Sequence, residues 1–268
     1  MTRPWRMDGM ALRSEGMKEI DKDDQKRFFG TLEFTGRARV SKFYAVVKSS
    51  REYYEKFLFA NAQNKKVLEY GCGTGSYAFS LARHGAKVVG IDIAELALKL
   101  AKGQAKDEGL ENITFMVTDA EAMPLADNSF DMVCGTGILH HLNMDRALRE
   151  LTAVLRPEAK AIFIEPMGHN PLINLFRKLT PHLRTKDEHP LTVHELSSMA
   201  RFFQKAHCEF FHVFSLLAVP FRDTRLFSPL LRVLDSLDRQ LFKWMPFARM
   251  FAWQAVVVLE GPKKAPVA

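Results

Sequence analysis

The 268-residue chain is poor in cysteine, with three (Cys72, Cys134 and Cys208) scattered far apart. An odd, widely spaced set excludes a disulfide framework, and no pair shows the short spacing of a zinc knuckle. That usage fits a reducing compartment such as the cytoplasm. The first sixteen residues (MTRPWRMDGMALRSEG) hold no apolar run, so no secretory leader is expected. Uninterrupted hydrophobic stretches are also missing. The one segment long enough to cross a bilayer is broken by Lys243, Pro246 and Arg249, which argues against a membrane span. No internal repeat or low-complexity tract occurs. With 47 % apolar and 26 % charged residues, wholesale disorder and fibrous architectures are excluded.

Charge is unevenly placed. Residues 1–66 carry 15 basic against 9 acidic side chains, residues 67–150 carry 7 against 12, and residues 151–268 carry 16 against 10. An acidic centre between basic flanks suits a nucleic acid, an anionic membrane surface or an acidic small substrate on the flanks, and equally an ordinary charged surface.

The centre of the chain alternates strand-like and helix-like runs. Val67–Tyr70, Lys87–Ile93, Ile113–Val117, Phe130–Cys134 and Lys160–Glu165 read as strands. Ser76–His84, Glu95–Glu108 and Asp145–Leu155 read as helices, the first two closed by Gly85 and Gly109. Such βαβ units imply a parallel sheet, an α/β class. Beyond them the pattern predicts a helix at Val193–Lys205. Two further strands, Glu209–Val219 and Ala252–Glu260, are expected to close the sheet as an antiparallel pair. Before the sheet, Phe28, Phe29 and Leu32, then Phe43, Val46 and Val47, then Tyr53, Tyr54, Phe57 and Leu58 recur at helical spacing. They predict an aromatic helical cap, with Tyr44, Tyr53 and Tyr54 as candidate ligand contacts or as plain packing residues.

The sharpest local feature is VLEYGCGTGSYAFSLA at 67–82. Gly71, Gly73 and Gly75 sit between a strand and a helix, where missing side chains let the backbone turn tightly and approach a ligand. The spacing is G-x-G-x-G rather than the G-x-G-x-x-G of dinucleotide sites, and Glu69 stands two residues ahead. An acid there repels a pyrophosphate and suits a cationic ligand. Asp92 ends the next strand, where a carboxylate can accept from a ribose diol or cap the following helix. Asp119-Ala120 ends the third strand, where it can read an adenine edge or serve as an ordinary loop acid.

The residues E-x-G-x-G-x-G at 69–75, Asp92, Asp119-Ala120, FDMVCGTGILHHL at 130–142 and LRPEAKAIFIEP at 155–166 resemble class I S-adenosylmethionine-dependent methyltransferases. The likeness is strongest to the small-molecule group that includes the ubiquinone and menaquinone enzymes, and it covers about residues 40–166. It implies a Rossmann-like, doubly wound, mostly parallel seven-stranded sheet with helices on both faces. A helical cap over residues 1–64 would precede a methyltransferase domain over 65–268. That domain divides into a cofactor half (65–166) and a substrate-side half (167–268) with an insertion at 220–251. The resemblance further implies S-adenosyl-L-methionine as cofactor. Gly71, Cys72, Gly73 and Gly75 would line its methionine part, and Glu69 would order the loop near the ammonium. Asp92 would take the ribose, Ile93 would pack on the adenine, Asp119 and Ala120 would bind the adenine edge, and Gly135 would offer a carbonyl to the amino group. LRPEAK departs from the usual L-R-P-G-G at a turn away from the site.

Methyl transfer is an in-line displacement that needs a general base only when the acceptor is protonated. His140 and Glu165 are the candidate catalytic groups and His141 a candidate substrate contact. The H-H pair can equally be structural. His169, His182, His189, Asp187 and Glu188 show no metal-binding spacing, so no metal is expected. The acceptor is expected to be small and hydrophobic or lipid-like, with O-, C- and N-methylation all open. An RNA methyltransferase and a non-catalytic S-adenosylmethionine-binding protein are the alternatives. Against RNA, Asn170-Pro171-Leu172-Ile173 is only partly like a base-flipping motif. The insertion Pro220–Phe251 keeps Leu and Phe at three- and four-residue spacing, with six basic residues against three acidic. It predicts a helix that serves as extra core, as a lid over the acceptor, or as an interfacial helix making peripheral contact with an anionic membrane.

Overall fold

The computed structural model describes residues 21–23, 25–26, 43–181, 185 and 188–264. Seven strands form one sheet: β1 (Lys66–Tyr70), β2 (Lys87–Asp92), β3 (Ile113–Val117), β4 (Phe130–Thr136), β5 (Leu155–Pro166), β6 (Phe203–Phe211) and β7 (Gln254–Pro262). Their order is β3-β2-β1-β4-β5-β7-β6, and β7 alone runs antiparallel to its neighbours. This is the expected doubly wound α/β sheet. The strand order reverses between β1 and β4, the place where open α/β sheets open a crevice beyond their carboxyl ends.

The helices are α1 (Lys48–Ala62), α2 (Ala78–Arg83), α3 (Glu95–Asp107), α4 (Met144–Val154), α5 (Pro171–Leu179), α6 (Val193–Ser198) and α7 (Phe227–Trp244). On α1, Tyr54, Leu58 and Ala62 recur every fourth residue and are fully buried. They join Val67, Leu81, Val88 and Ile162 in one apolar layer against the sheet. Burying each large side chain contributes about 1.5–3 kcal/mol, so α1 is held as core. Tyr53 packs on Phe211 and Tyr54 on Tyr77. Neither lines the cavity described below. Phe28, Phe29 and Leu32 lie outside the described residues.

Three boundaries differ from the sequence pattern. β6 begins at Phe203, so the helix expected over 193–205 stops at Ser198 and a single 3-10 turn. The run expected as a strand over 209–219 divides into the end of β6 and a 3-10 segment, Phe214–Phe221. Asp238 of α7 is responsible for the second change. Its buried carboxylate accepts from the backbone N–H of Val213 (3.2 Å), Phe214 (2.6 Å) and Ser215 (3.1 Å), which stabilises a helical start there. The third is LRPEAK, which falls within β5. Residues 156–158 stand exposed at a shift in the pairing between β4 and β5, not in a turn before the strand.

The insertion is a helix, α7, but its apolar residues divide between two sides. Leu231, Leu234 and Phe242 are buried, whereas Val233, Leu237 and Trp244 are exposed, as is Leu226 just before the helix. The buried side adds core, as one of the three expectations had it.

Candidate functional site

A cavity of about 180 Å³ opens at the carboxyl ends of β1 to β4, in the crevice of the strand-order reversal. Its wall takes Gly71, Gly73 and Thr74 from the glycine turn, Asp92 and Ile93 from the end of β2, and Asp119 and Ala120 from beyond β3. Thr136, Gly137, Ile138 and His141 come from the end of β4 and the turn after it.

The glycine turn is shaped by left-handed backbone. Gly71 and Gly73 have φ of 68° and 53°, values costly for residues with a Cβ. They differ in what a side chain would meet. A Cβ on Gly71 would strike Ile138, whereas one on Gly73 would meet nothing within 4 Å. Gly73 therefore borders open space at the wall, and Gly71 serves close packing. Gly75 packs on Phe79 and is not in the wall. Cys72 is buried beneath the turn, filling the space left by the missing side chain of Gly90. Burial holds its thiol far above the usual thiol range.

Glu69 organises the turn from behind. It is buried, and its Oε1 accepts from the Ser76 hydroxyl (2.6 Å) and the Tyr77 N–H (2.7 Å). Burial pushes its pKa up to about 7, against the pull of those hydrogen bonds. Asp92 braces the turn from the front. Its Oδ2 accepts from Gly73 N–H (2.7 Å) and its Oδ1 from Ala94 N–H (2.8 Å). Ala94, not Asp92, stands at the N-cap of α3, which has no side-chain cap bond, so the helix-capping expectation for Asp92 gives way to a turn ahead of the helix. The carboxylate forms part of the wall. Asp119 accepts from Glu121 N–H (2.9 Å) and pairs with Lys22 (3.2 Å). The carbonyl of Ala120 receives a short hydrogen bond from the Tyr70 hydroxyl.

The turn after β4 is built around Glu165. This fully buried carboxylate accepts from the N–H groups of Ile138 (3.0 Å), Leu139 (2.9 Å) and His140 (3.4 Å), and its Oε2 lies 2.8 Å from His140 Nδ1. Burial raises its pKa to about 7. The His140 ring packs at a tilt of 40° against that of His141, ring centroids 4.0 Å apart, and of the two His141 alone reaches the wall. Burial, then the neighbouring His140, holds His141 well below the usual histidine range, so it is neutral.

Of the other residues singled out from the sequence, Gly135 lies inside β4, one residue short of the wall, and its missing side chain admits Ile138 and Phe163. Tyr44 stands half exposed against Trp253, away from the cavity. No residue of 220–251 lines the cavity, which leaves the lid expectation without a contact there. The sequence reading missed Lys22 and Gln25, which reach the wall from far upstream; Gln25 donates to the His141 carbonyl at 2.8 Å. No periodic signal marks two polar residues as reaching across 116 positions. His169 and His189 lie outside the cluster that the fold assembles instead from His140, His141 and Glu188, while His182 and Asp187 fall outside the described residues.

Comparison with known proteins supplies a family. Methyltransferase GfsG of Streptomyces halstedii is 40 % identical over 95 residues, 34 % of this chain and 34 % of that protein. Demethylmenaquinone methyltransferase of Lactococcus lactis is 35 % identical over 103 residues, 37 % of this chain and 41 % of that protein. The matches thus span well under half of these relatives. The geranyl diphosphate C-methyltransferase of Streptomyces coelicolor, solved with Mg2+, geranyl diphosphate and S-adenosyl-L-homocysteine, shares the fold at a TM-score of 0.61. Its identity is 12 %, over 90 % of this chain and 97 % of that one. A family model described as "Methyltransferase domain" matches residues 61–208, more than half of the chain and the part that carries the cavity, and the chain belongs to that family.

Proposed function

We propose that this chain transfers a methyl group from S-adenosyl-L-methionine to a small hydrophobic acceptor. The observation that carries the reading is the acid-lined cavity beyond β1 to β4, with open space at Gly73 and with Asp92 and Asp119 in its wall. Its chemistry suits the cofactor: carboxylates suit a cationic ligand and a ribose diol and repel a pyrophosphate, and the bare Gly73 backbone admits close approach. Bound there, the cofactor supplies an electrophilic methyl on sulfur. The protein's part is to bind and orient. Asp92 accepts from the ribose hydroxyls, Ile93 packs on the base, Asp119 and the Ala120 backbone meet its edge, and Gly73 leaves room for the chain of the amino acid. Glu69 keeps the glycine turn in shape. His140 and Glu165 position the turn that carries Ile138 and His141, and His141 is the one of the pair that faces the cavity.

Two facts support an apolar acceptor. The relatives named above include a demethylmenaquinone and a geranyl diphosphate methyltransferase. The second fact is a set of exposed apolar side chains on α5 and on residues 226–251. It includes Leu172, Leu175 and Leu179 on one helix and Leu237, Trp244 and Phe247 on or near the other. Arg177, Arg232, Arg239 and Lys243 are interspersed in the same segments. Apolar side chains flanked by cations fit an anionic bilayer surface. No helix among the described residues is long and apolar enough to cross a membrane. Calorimetry with S-adenosylmethionine, with NAD and a short RNA as controls, tests the cofactor. Mass spectrometry of lipid extracts incubated with isotope-labelled cofactor tests the acceptor. Flotation with phosphatidylglycerol vesicles tests the membrane contact; absence of salt-sensitive binding, or dimerisation that covers these side chains, removes it.

A further inference from the structure

The turn after β4 and the loop before α6 bring together three groups to which cofactor binding gives no task. One ring nitrogen each of His140 and His141 and a carboxylate oxygen of Glu188 lie within 4.8 Å of one another. Both imidazoles are buried and Glu188 is half-buried. The loop that carries Glu188 is tied to the sheet by backbone. His189 N–H donates to the His140 carbonyl (3.1 Å), Leu191 N–H to the Pro166 carbonyl (2.9 Å), and Gly168 N–H to the Leu191 carbonyl (2.9 Å). The spacing of the three groups is therefore fixed by main-chain pairing and not by side chains alone.

A second observation points to a ligand. The buried Glu165 carboxylate holds His140 Nδ1 at 2.8 Å. That contact orients the His140 ring through Nδ1. A carboxylate behind an imidazole in this way is the usual support of a metal-binding histidine, orienting the ring and raising its basicity. His141 belongs both to the cluster and to the cavity wall, so an ion in the cluster adjoins the proposed reaction space.

We propose that His140, His141 and Glu188 bind one divalent transition-metal ion at the His141 side of the cavity. Two imidazoles and one carboxylate favour Zn2+, Co2+ or Fe2+ over Mg2+, which prefers oxygen ligands. Three protein ligands leave open coordination positions, the pattern of catalytic rather than structural zinc sites. Resting on the methyl-transfer reading, this deepens it by naming an acceptor class: a molecule with a hydroxyl or enol oxygen that coordinates the ion. The metal acidifies that hydroxyl, whose proton leaves to solvent. The oxygen then forms a bond to the methyl carbon as the carbon–sulfur bond breaks, and S-adenosylhomocysteine is released.

The test uses the full chain, stripped with a chelator and titrated with Co2+, Zn2+ and Mg2+. One equivalent of Co2+ or Zn2+ is expected, with visible bands of low-coordinate cobalt, and weak binding of Mg2+. Glu188→Gln and His141→Asn each remove the stoichiometric binding. Glu165→Gln, which keeps an acceptor oxygen for the N–H groups of the turn but alters the support of His140, weakens it by roughly 10–100-fold, with thermal melts to show that the turn is still folded. No stoichiometric binding, or binding unmoved by Glu188→Gln and His141→Asn, overturns the proposal. Where a variant does not fold, the cobalt spectrum of the unaltered chain decides: hydrated-ion bands overturn the site. Calorimetry with S-adenosylmethionine on the stripped protein separates the two readings. Cofactor binding without metal binding overturns this inference alone. Metal binding without cofactor binding overturns the methyl-transfer reading and leaves the ion site standing.

Discussion

Replacing Asp92 with alanine perturbs the site at the point where the glycine turn and the ligand meet. In the structure both carboxylate oxygens are used, Oδ2 by Gly73 N–H at 2.7 Å and Oδ1 by Ala94 N–H at 2.8 Å. A carboxylate oxygen has room for more than one donor, so ribose hydroxyls add to these bonds without displacing them. The variant therefore suffers two separate losses. Gly73 and Ala94 lose an acceptor, but they sit at a solvent-reachable wall where water substitutes, so the fold loses about 1 kcal/mol for each. For a domain of this size that is a fall in Tm of roughly 4–8 °C in total. The cofactor loses two charge-assisted hydrogen bonds of about 1.5–3 kcal/mol each, which lowers its affinity by roughly two to four powers of ten. Asp92→Asn keeps one acceptor and presents a donor in place of the other, so it should fall between the two. Isothermal calorimetry with S-adenosylmethionine, alongside thermal melts, reads both losses. A folded Asp92→Ala protein with wild-type cofactor affinity would refute the placement of the ribose, and with it the assignment of this wall.

Gly73→Ala should keep the fold, because its Cβ meets nothing, at a left-handed strain of about 1–2 kcal/mol. Cofactor binding should nevertheless be lost, and retained affinity would show that the open space is not the ligand's. Glu165→Ala leaves the N–H groups of Ile138, Leu139 and His140 without their acceptor in a buried place. At about 1–3 kcal/mol each, this should consume a large part of the stability of the domain; a drop under about 1 kcal/mol in urea denaturation would show that the turn does not depend on Glu165. The buried His212 bridges the hydroxyls of Ser215 (3.0 Å) and Ser50 (2.9 Å), and burial pushes its pKa down from 6.5 to about 3. With the folded-state pKa depressed, the unfolded chain takes up the proton first as pH falls. The stability it contributes is thus present above about pH 6.5 and lost toward pH 3, at about 1.4 kcal/mol per pH unit. His212→Asn, whose residue tolerates the positive φ of this position, should flatten that slope between about pH 7 and pH 5. Parallel pH profiles for the two proteins would contradict the linkage.

The sequence by itself determined the sheet. Alternating apolar runs and helical periods specify βαβ units locally, and local geometry allows right-handed crossovers and little else, so β1 to β5 and the crevice at their carboxyl ends follow from pattern. Gly71, Gly73, Asp92 and Asp119 come to the cavity wall for the same reason: each stands at or just beyond a strand end, a fixed offset from the start of an element. Tertiary structure decided everything that rests on partners distant in the chain. Asp238 converts a strand-like run at 214 into a helical turn from 24 residues away, and Glu165 fixes His140 from 25 residues away. Lys22 and Gln25 reach a wall built from residues 71–142. Glu188 meets His140 and His141 only because backbone pairing at His189 and Leu191 lays its loop beside theirs. The two sides of α7 show the same limit: its period predicted an amphipathic helix, and packing against the 3-10 segment 214–221 chose which leucines to bury and which to leave facing outward.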